Sequence, residues 1–289
     1  MPGLDSAGVE GSCSRPSTAR GDWARSALAR PGVELFEARF AGHAYDRHRH
    51  DVYAIGLTLG GVQCFTCRGA DRASTAGRTI LLHPDELHDG RAGTQDGFSY
   101  RMAYVEPALI QQALEQRLGQ SGVLPFARDI VVDDPVLAQA VDRAFADFPA
   151  PLEPLALDQA VLTLAEALLR HDRSLRPKAF AGIDNRAVAR ARDFLDAHFE
   201  RGVASAELEI ACGLDRFRLA RQFRQRYGTS PYRYLTMRRL QAARRMIVGG
   251  ATLAEVAATT GFADQSHLTR QFKAGFGLTP GRLRRLAAA

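Results

Sequence analysis

No uninterrupted apolar run in the 289 residues approaches the roughly 18–20 that a membrane-spanning helix needs. That excludes a helical membrane protein from the expected classes. Residues Met1 to Arg20 are rich in Gly, Ser, Pro and Arg and lack the apolar core of a secretory signal. They are expected to belong to a disordered tail, residues 1–25. Cysteine is scarce: Cys13, Cys64, Cys67 and Cys212 fit no disulfide or zinc spacing. Cys64 and Cys67 form a C-x-x-C, but in a stretch that reads as strand, where residues three apart point to opposite faces. They are expected to be plain core or surface cysteines in a reducing cytoplasm. Acidic residues are thin in the last third. Residues 184–289 hold 19 Lys+Arg and 9 Asp+Glu, whereas residues 1–183 hold 19 and 23. One end of the chain is therefore suited to a polyanion, and the bland alternative is a solvated basic surface.

What is present divides the chain in two. From Val33 to Tyr104 short β-type runs alternate with turn residues: Val33–Phe40, Val52–Leu59, Val62–Cys67, Thr79–Leu82 and Phe98–Val105. Spacings of about 8–12 residues predict a small barrel or sandwich. Pro107–Leu118, Pro135–Phe148 and Leu155–His171 then carry apolar residues at helical spacing. The third helix has a broad stripe around Leu157, Val161, Leu164 and Leu168, which can cover the barrel or pair with a copy of itself. Residues 173–183, with Ser174, Pro177 and Gly182, read as a linker that lets two domains move.

The last third contains a repeat. Leu219-Ala220-Arg221-Gln222-Phe223-Arg224 aligns on Leu268-Thr269-Arg270-Gln271-Phe272-Lys273 at an offset of 49 residues. Asp215 and Asp264, Gly228 and Gly277, and Ser230-Pro231 and Thr279-Pro280 match at the same offset. A helix is expected from Asp184. In the first copy Ser205 would cap a short helix, Gly213-Leu214 turn, and Asp215 cap a second helix: a helix-turn-helix layout. Leu219, Phe223 and Tyr227 mark its buried side. At about 100° per residue, Phe217, Arg218, Arg221, Arg224 and Gln225 fall opposite. In the second copy Thr252 to Glu255 form a capping box, and Asp264 caps a helix with Leu268, Phe272 and Phe276 inside. Gln265, Ser266, His267, Arg270 and Lys273 face out. Arginine suits guanine and phosphate, glutamine suits adenine, and an apolar ring can meet a thymine methyl.

Between the copies Ser230-Pro231 starts a long helix. Roughly 17 residues give about 25 Å, a spacer able to hold two reading helices near one DNA turn, about 34 Å, apart. Its Arg238, Arg239, Arg244 and Arg245 are free either to meet phosphates or to solvate the helix.

Residues 184–287 resemble the DNA-binding region of the AraC/XylS family of bacterial transcription regulators. The resemblance is carried by Gly213, Leu219-x-Arg221-x-Phe223, Gly228-x-Ser230-Pro231-x-x-Tyr234 and Arg238-Arg239-Leu240-x-x-Ala243-Arg244. It continues through Glu255-Val256-Ala257, Gly261-Phe262-x-Asp264-x-Ser266-His267-Leu268-x-Arg270-x-Phe272-Lys273 and Gly277-Leu278-Thr279-Pro280. It implies two helix-turn-helix units in adjacent major grooves of double-stranded DNA. Base-facing roles then fall to Phe217, Ala220 and Arg221 in one unit and to Gln265, Ser266, Thr269 and Arg270 in the other. Arg216, Arg218, Arg224, His267 and Lys273 complete the expected DNA-binding set. Ala220 is small where members of the family often carry a longer polar side chain.

Upstream, His48-Arg49-His50 followed by Gly60-Gly61, and then Gly77 to His88, resemble the two halves of a cupin motif. AraC-type regulators commonly carry such a barrel as the sensing domain. Cupin enzymes hold a metal at the positions of His48, His50 and His88, but Tyr53, Ala54 and Ile55 stand where their glutamate would be. The expected site is a small-molecule cavity with His48, His50, Tyr53, His88 and Arg101, without metal, cofactor or catalysis.

The fold expected is α+β in two domains: a cupin-like β-barrel with following helices (26–172), then an all-α domain with two helix-turn-helix units (184–289). The function expected is a cytoplasmic, sequence-specific regulator, an activator. It would answer to a small effector, with RNA polymerase and a second copy as possible partners. The competing reading is a metal-dependent cupin enzyme with a DNA-binding appendage.

Overall fold

The computed structural model describes residues 21–118, 124–150, 153–172 and 183–287. The expected linker, apart from Ile183, and most of the expected tail lie outside the described residues. The end of that tail is a correction. Trp23–Arg30 forms strand β1, paired antiparallel with β2 (Val33–Phe40) from Trp23↔Arg39 to Arg30↔Val33. A short Pro-Gly turn returns the chain on itself, so even a polar run such as Arg25-Ser26 can be held by the strand beside it.

The remaining strands are β3 (His43–His48), β4 (Tyr53–Cys67), β5 (Ala70–Thr75), β6 (Thr79–Leu82), β7 (His88–Ala92), β8 (Phe98–Val105) and β9 (Val131–Val132). One path of neighbours runs β1-β2-β8-β4-β6-β9, while β3 pairs with β7, and β7 and β5 pair with β4. The two β4 runs expected from sequence are one continuous strand. Its register slips between Thr58 and Gly60, so its first half pairs with β6 and β8 and its second half with β5 and β7. This bulge turns one strand from one wall of the barrel into the other.

Strand alternation sorts side chains into two cores. Leu35, Tyr53, Ile55, Ala103 and Val105 lie in an outer core with helices α1 (Pro107–Leu118), α2 (Pro135–Ala144) and α3 (Pro154–His171). Phe36, Ala38, Ala54, Tyr100 and Met102 belong to the inner one. The third expected helix thus covers the barrel, with its Leu157, Val161, Leu164 and Leu168 stripe buried.

The C-terminal half holds α4 (Asn185–Ala197), α5 (Ser205–Cys212), α6 (Arg216–Tyr227), α7 (Pro231–Val248), α8 (Leu253–Thr259), α9 (Gln265–Phe276) and α10 (Pro280–Ala287). Each α5–α6 or α8–α9 pair shares a core with part of α7. Leu219, Phe223 and Tyr227 meet Tyr234 and Leu235 in one. Leu268 and Phe272 meet Met237, Leu240 and Ile247 in the other. Phe223 and Phe272 have no exposed surface, so each contributes on the order of 1.5–3 kcal/mol of apolar burial. The 18 residues of α7 span about 27 Å. Asp215 and Asp264 cap the two outer helices as expected. Ser205 does not cap α5: Ala204 is the N-cap, and its backbone N–H donates to Glu207 Oε2 at 2.8 Å.

Candidate functional site

On α6, Arg216, Phe217, Arg218, Ala220, Arg221 and Arg224 are exposed, Phe217 to 80%. On α9, Gln265, Ser266, Arg270 and Lys273 are exposed, and His267 and Thr269 are half-buried. Both helices begin at aspartate caps, whose carboxylates accept from first-turn N–H groups. Among the described residues no ion pair engages Arg218, Arg221, Arg224 or Arg270, so four guanidinium groups face solvent uncommitted. Three expected contacts are already engaged. Arg216 Nε donates to Glu209 Oε1 at 2.9 Å. His267 Nδ1 accepts from the Ala263 N–H at 3.4 Å. Lys273 Nζ lies 2.9 Å from Asp46 of β3.

The arginines of α7 do not serve the surface where the sequence left them free to stand. Arg238 is half-buried and meets Glu106 at 2.5 Å and Asp51 at 3.4 Å. Arg244 pairs with Glu34. Arg239 donates to the carbonyls of Phe199 and Arg201. Only Arg245 of the four is exposed. The reason is packing: α7 lies against the barrel, so its polar face is an internal seam. Arg226–Glu115 at 2.9 Å, Arg233–Asp85 at 3.1 Å and Arg282–Asp22 at 3.7 Å cross the same seam. The opposite charges of the two halves, visible in sequence, are spent partly on each other.

The ends of both outer helices also rest on the barrel. Gly228 and Gly277, equivalent in the repeat, are left-handed C-caps with φ of 71° and 66°. A Cβ on Gly228 would stand 2.9 Å from Pro84 Cβ, and one on Gly277 would stand 2.7 Å from His48 Nδ1 and from the Asp46 carbonyl oxygen. Glycine serves twice at each position, for the backbone angle and for the close approach. The Asp46 N–H also donates to the Gly277 carbonyl at 2.9 Å.

Behind these contacts lies a cavity of about 860 Å³, walled by the barrel interior and closed by α7, α9 and α10. His48, His50 and His88 line it, with Tyr45, Gln63 and Tyr104 among their neighbours. The imidazole centroids of His48 and His50 stand 4.2 and 4.9 Å from that of His88. Two expected residues do not belong to this cavity. Tyr53 points into the outer core and donates to the Pro125 carbonyl at 2.8 Å. Arg101 also faces outward, pairing with Glu37 at 2.9 Å and with Asp142. On β8 the inward set is Tyr100, Met102 and Tyr104, one residue out of phase with Arg101. Sequence reasoning missed these three, although their alternation with Arg101 and Ala103 was there to be read.

Each histidine places Nδ1 at 2.8–2.9 Å from a main-chain carbonyl: Asp46 for His48, Val52 for His50 and Glu86 for His88. A carbonyl only accepts, so Nδ1 carries the proton and Nε2 keeps its lone pair. Burial, reinforced by His88 and His50, holds the His48 imidazole well below its ordinary range. Burial and then His88 pull His50 down to about 3, and burial lowers His88. Below about pH 6.5 the unfolded chain takes up protons that these rings refuse. For His50 stability therefore declines as pH falls from about 6.5 toward 3, by about 1.4 kcal/mol per pH unit, and the lowered His48 and His88 act in the same direction. Urea midpoints at pH 7 and pH 5 check this; equal midpoints would mean that water reaches the rings. Among the described residues no group of three or more His, Cys, Asp or Glu is arranged to hold a metal ion. Cys67 is buried and its thiol is pushed up to about 11 by that burial, while Cys64, on the other face of β4, is half-buried.

A ligand-binding barrel, a cavity shared with a helical half, and two helix-turn-helix units define a two-domain transcription regulator. Two family models match the chain: one described as an AraC-like ligand binding domain over residues 30–165, the other as a helix-turn-helix domain over residues 210–286. The chain belongs to the AraC family of transcription regulators. The HTH-type transcriptional regulator YbfI of Bacillus subtilis is 26% identical over 245 residues, 82% of this chain and 87% of that protein. The HTH-type transcriptional activator RhaS of Yersinia pestis is 26% identical over 259 residues, 86% of this chain and 92% of that one. Among solved structures, ToxT from Vibrio cholerae shares the two-domain fold. Its TM-score is 0.63 at 11% identity, over 88% of this chain and 98% of that one. No helix among the described residues is long and apolar enough to cross a membrane.

Proposed function

We propose that this regulator binds specific double-stranded sites through α6 and α9 and that a small molecule in the barrel cavity sets its DNA affinity. The domains are residues 23–172 and 184–287. One observation carries the effector response. The C-cap glycine of each reading helix presses on a barrel segment next to a cavity histidine: Gly277 on His48 itself, and Gly228 on Pro84 in the turn leading to His88. A ligand that moves those segments changes how both helices are held, which is a shift between populated arrangements.

In the reading helices, Phe217, Ala220, Arg221, Gln265, Ser266, Thr269 and Arg270 face bases. Arg218, Arg224 and, once freed from Asp46, Lys273 face phosphates. Activation is the mode named for RhaS, and it is the mode assigned to this chain, with RNA polymerase as the partner and the cytoplasm as the location. A second copy pairs through the exposed edge of α3, where Leu155 is 82% exposed.

The test is a genome-wide footprint followed by titration of one protected site at several salt concentrations. Discrete protected sites are expected, with log K falling against log salt at a slope of about −5 for some six phosphate contacts. Absence of discrete sites, or a slope near zero, refutes the proposal.

A further inference from the structure

The histidine-bearing wall of the cavity is rich in uncharged hydrogen-bonding groups, while the charged side chains that also line the cavity include Glu34, Asp51, Asp89, Glu106, Arg238 and Arg244. His48, His50 and His88 have neutral rings with Nδ1–H already committed to carbonyls. Their remaining function toward the cavity is to accept. His50 Nε2 and Gln63 Oε1 are buried acceptors with no partner among the described residues, on side chains 5% and 7% exposed. A buried acceptor left unmatched is costly, which makes each a place for a donor. The two are well separated. Gln63 and Cys67 share one face of β4, Cys67 is paired with His88, and four residues of strand span about 13 Å.

The walls between them are aromatic. Tyr104 meets His50 edge-on at 5.5 Å, and Phe36 meets Tyr100 and Tyr104 at 6.0 and 6.3 Å. The Tyr45 and Tyr100 hydroxyls, 2.7 Å apart, satisfy each other. Burial keeps both of these tyrosines, and Tyr104, in the neutral form. At the mouth, Arg238 and Arg244 have carboxylate partners, as does Arg192. Arg245 is exposed, where solvent screens its charge.

We infer that the cavity takes an uncharged, elongated aromatic molecule with a hydroxyl donor at each end, one meeting the histidine cluster and the other Gln63. This rests on the effector reading above. It separates that ligand from aromatic carboxylates, whose anions would meet the unprotonated histidine Nε2 atoms and Gln63 Oε1, acceptors that do not replace the lost hydration.

The probes are 4,4′-biphenol, biphenyl-4,4′-dicarboxylate and biphenyl, titrated by calorimetry into the full-length protein at pH 7. There the phenols are neutral and the carboxylates ionised. Biphenol is expected to bind at least about tenfold more tightly than either analogue. Gln63→Leu and His50→Phe are each expected to weaken it about five- to tenfold, with circular dichroism matching the parent. The comparison of probes on the parent protein needs no variant, so misfolding of a variant does not remove the test.

Equal or tighter binding of the dicarboxylate overturns the inference, as does absence of binding by all three, or well-folded variants that bind biphenol as the parent does. A stoichiometric divalent metal that survives gel filtration and is lost in His48→Ala overturns it in favour of a metal centre. The footprint without ligand is run beside these titrations. Discrete protected sites together with dicarboxylate binding would leave the regulator reading standing and remove only the ligand class.

Discussion

Replacing Arg238 with methionine is expected to cost about 3–5 kcal/mol of the contact between the barrel and the helical half. Asp51 is 3% exposed, and burial raises its carboxyl above the usual range even with the guanidinium beside it. The same guanidinium serves Glu106 at 2.5 Å. Burial works against the charge of Arg238, but Asp51 and Glu106 outweigh that and hold it protonated. Removing the cation takes from two acids the guanidinium they share and leaves Asp51 only the more distant charge of Arg233. Urea unfolding followed by the single tryptophan, Trp23 of β1, and separately by helical circular dichroism checks the outcome. The two signals should part, with the helical half losing its barrel support at lower urea. Arg238→Met combined with Asp51→Leu should recover part of the loss, because the pair is more costly to break than to replace. Coincident transitions at the parental midpoint would show that the pair does not couple the halves.

The seam also explains which parts of the molecule were legible in the sequence. Local signals sufficed for α6, α7 and α9. Aspartate or Ser-Pro at the start, glycine at the end and an apolar residue every three or four positions all point to the same helix. The histidine cluster was legible too, because the resemblance brought His48, His50 and His88 together across 40 residues. Tyr53 and Arg101 were misplaced for a different reason. A strand covered by helices on one side and enclosing a cavity on the other buries both faces. Hydrophobicity then does not say which residues look inward, and a one-residue change of phase exchanges the two sets. The polar strands β1, β3 and β7 were invisible because their order comes from pairing partners rather than from their own composition. The α7 arginines look alike in sequence. Only the approach of the barrel decides that Arg238 and Arg244 are internal and Arg245 is not.

The second large effect belongs to the arginines left outside that seam. Arg221→Ala and Arg270→Ala are each expected to lose about 1–3 kcal/mol of binding on the cognate duplex and to relax preference at the bases they face. Binding to scrambled DNA should change far less, because sequence-independent affinity comes from the sum of phosphate contacts. Arg224→Ala provides the contrast: a uniform loss across sequences and a salt slope shallower by about one. Arg224 differs from Arg221 and Arg270 in its place along the helix, not in exposure. Arg221 and Arg270 occupy the same position of the repeat, 49 residues apart, so equal roles in two successive grooves should give two separate blocks of altered preference. Competition binding with a randomised duplex library reads this directly. If both variants select the parental sequence with parental affinity, α6 and α9 do not read bases. The exposed face that includes Phe217 would then need a protein partner instead.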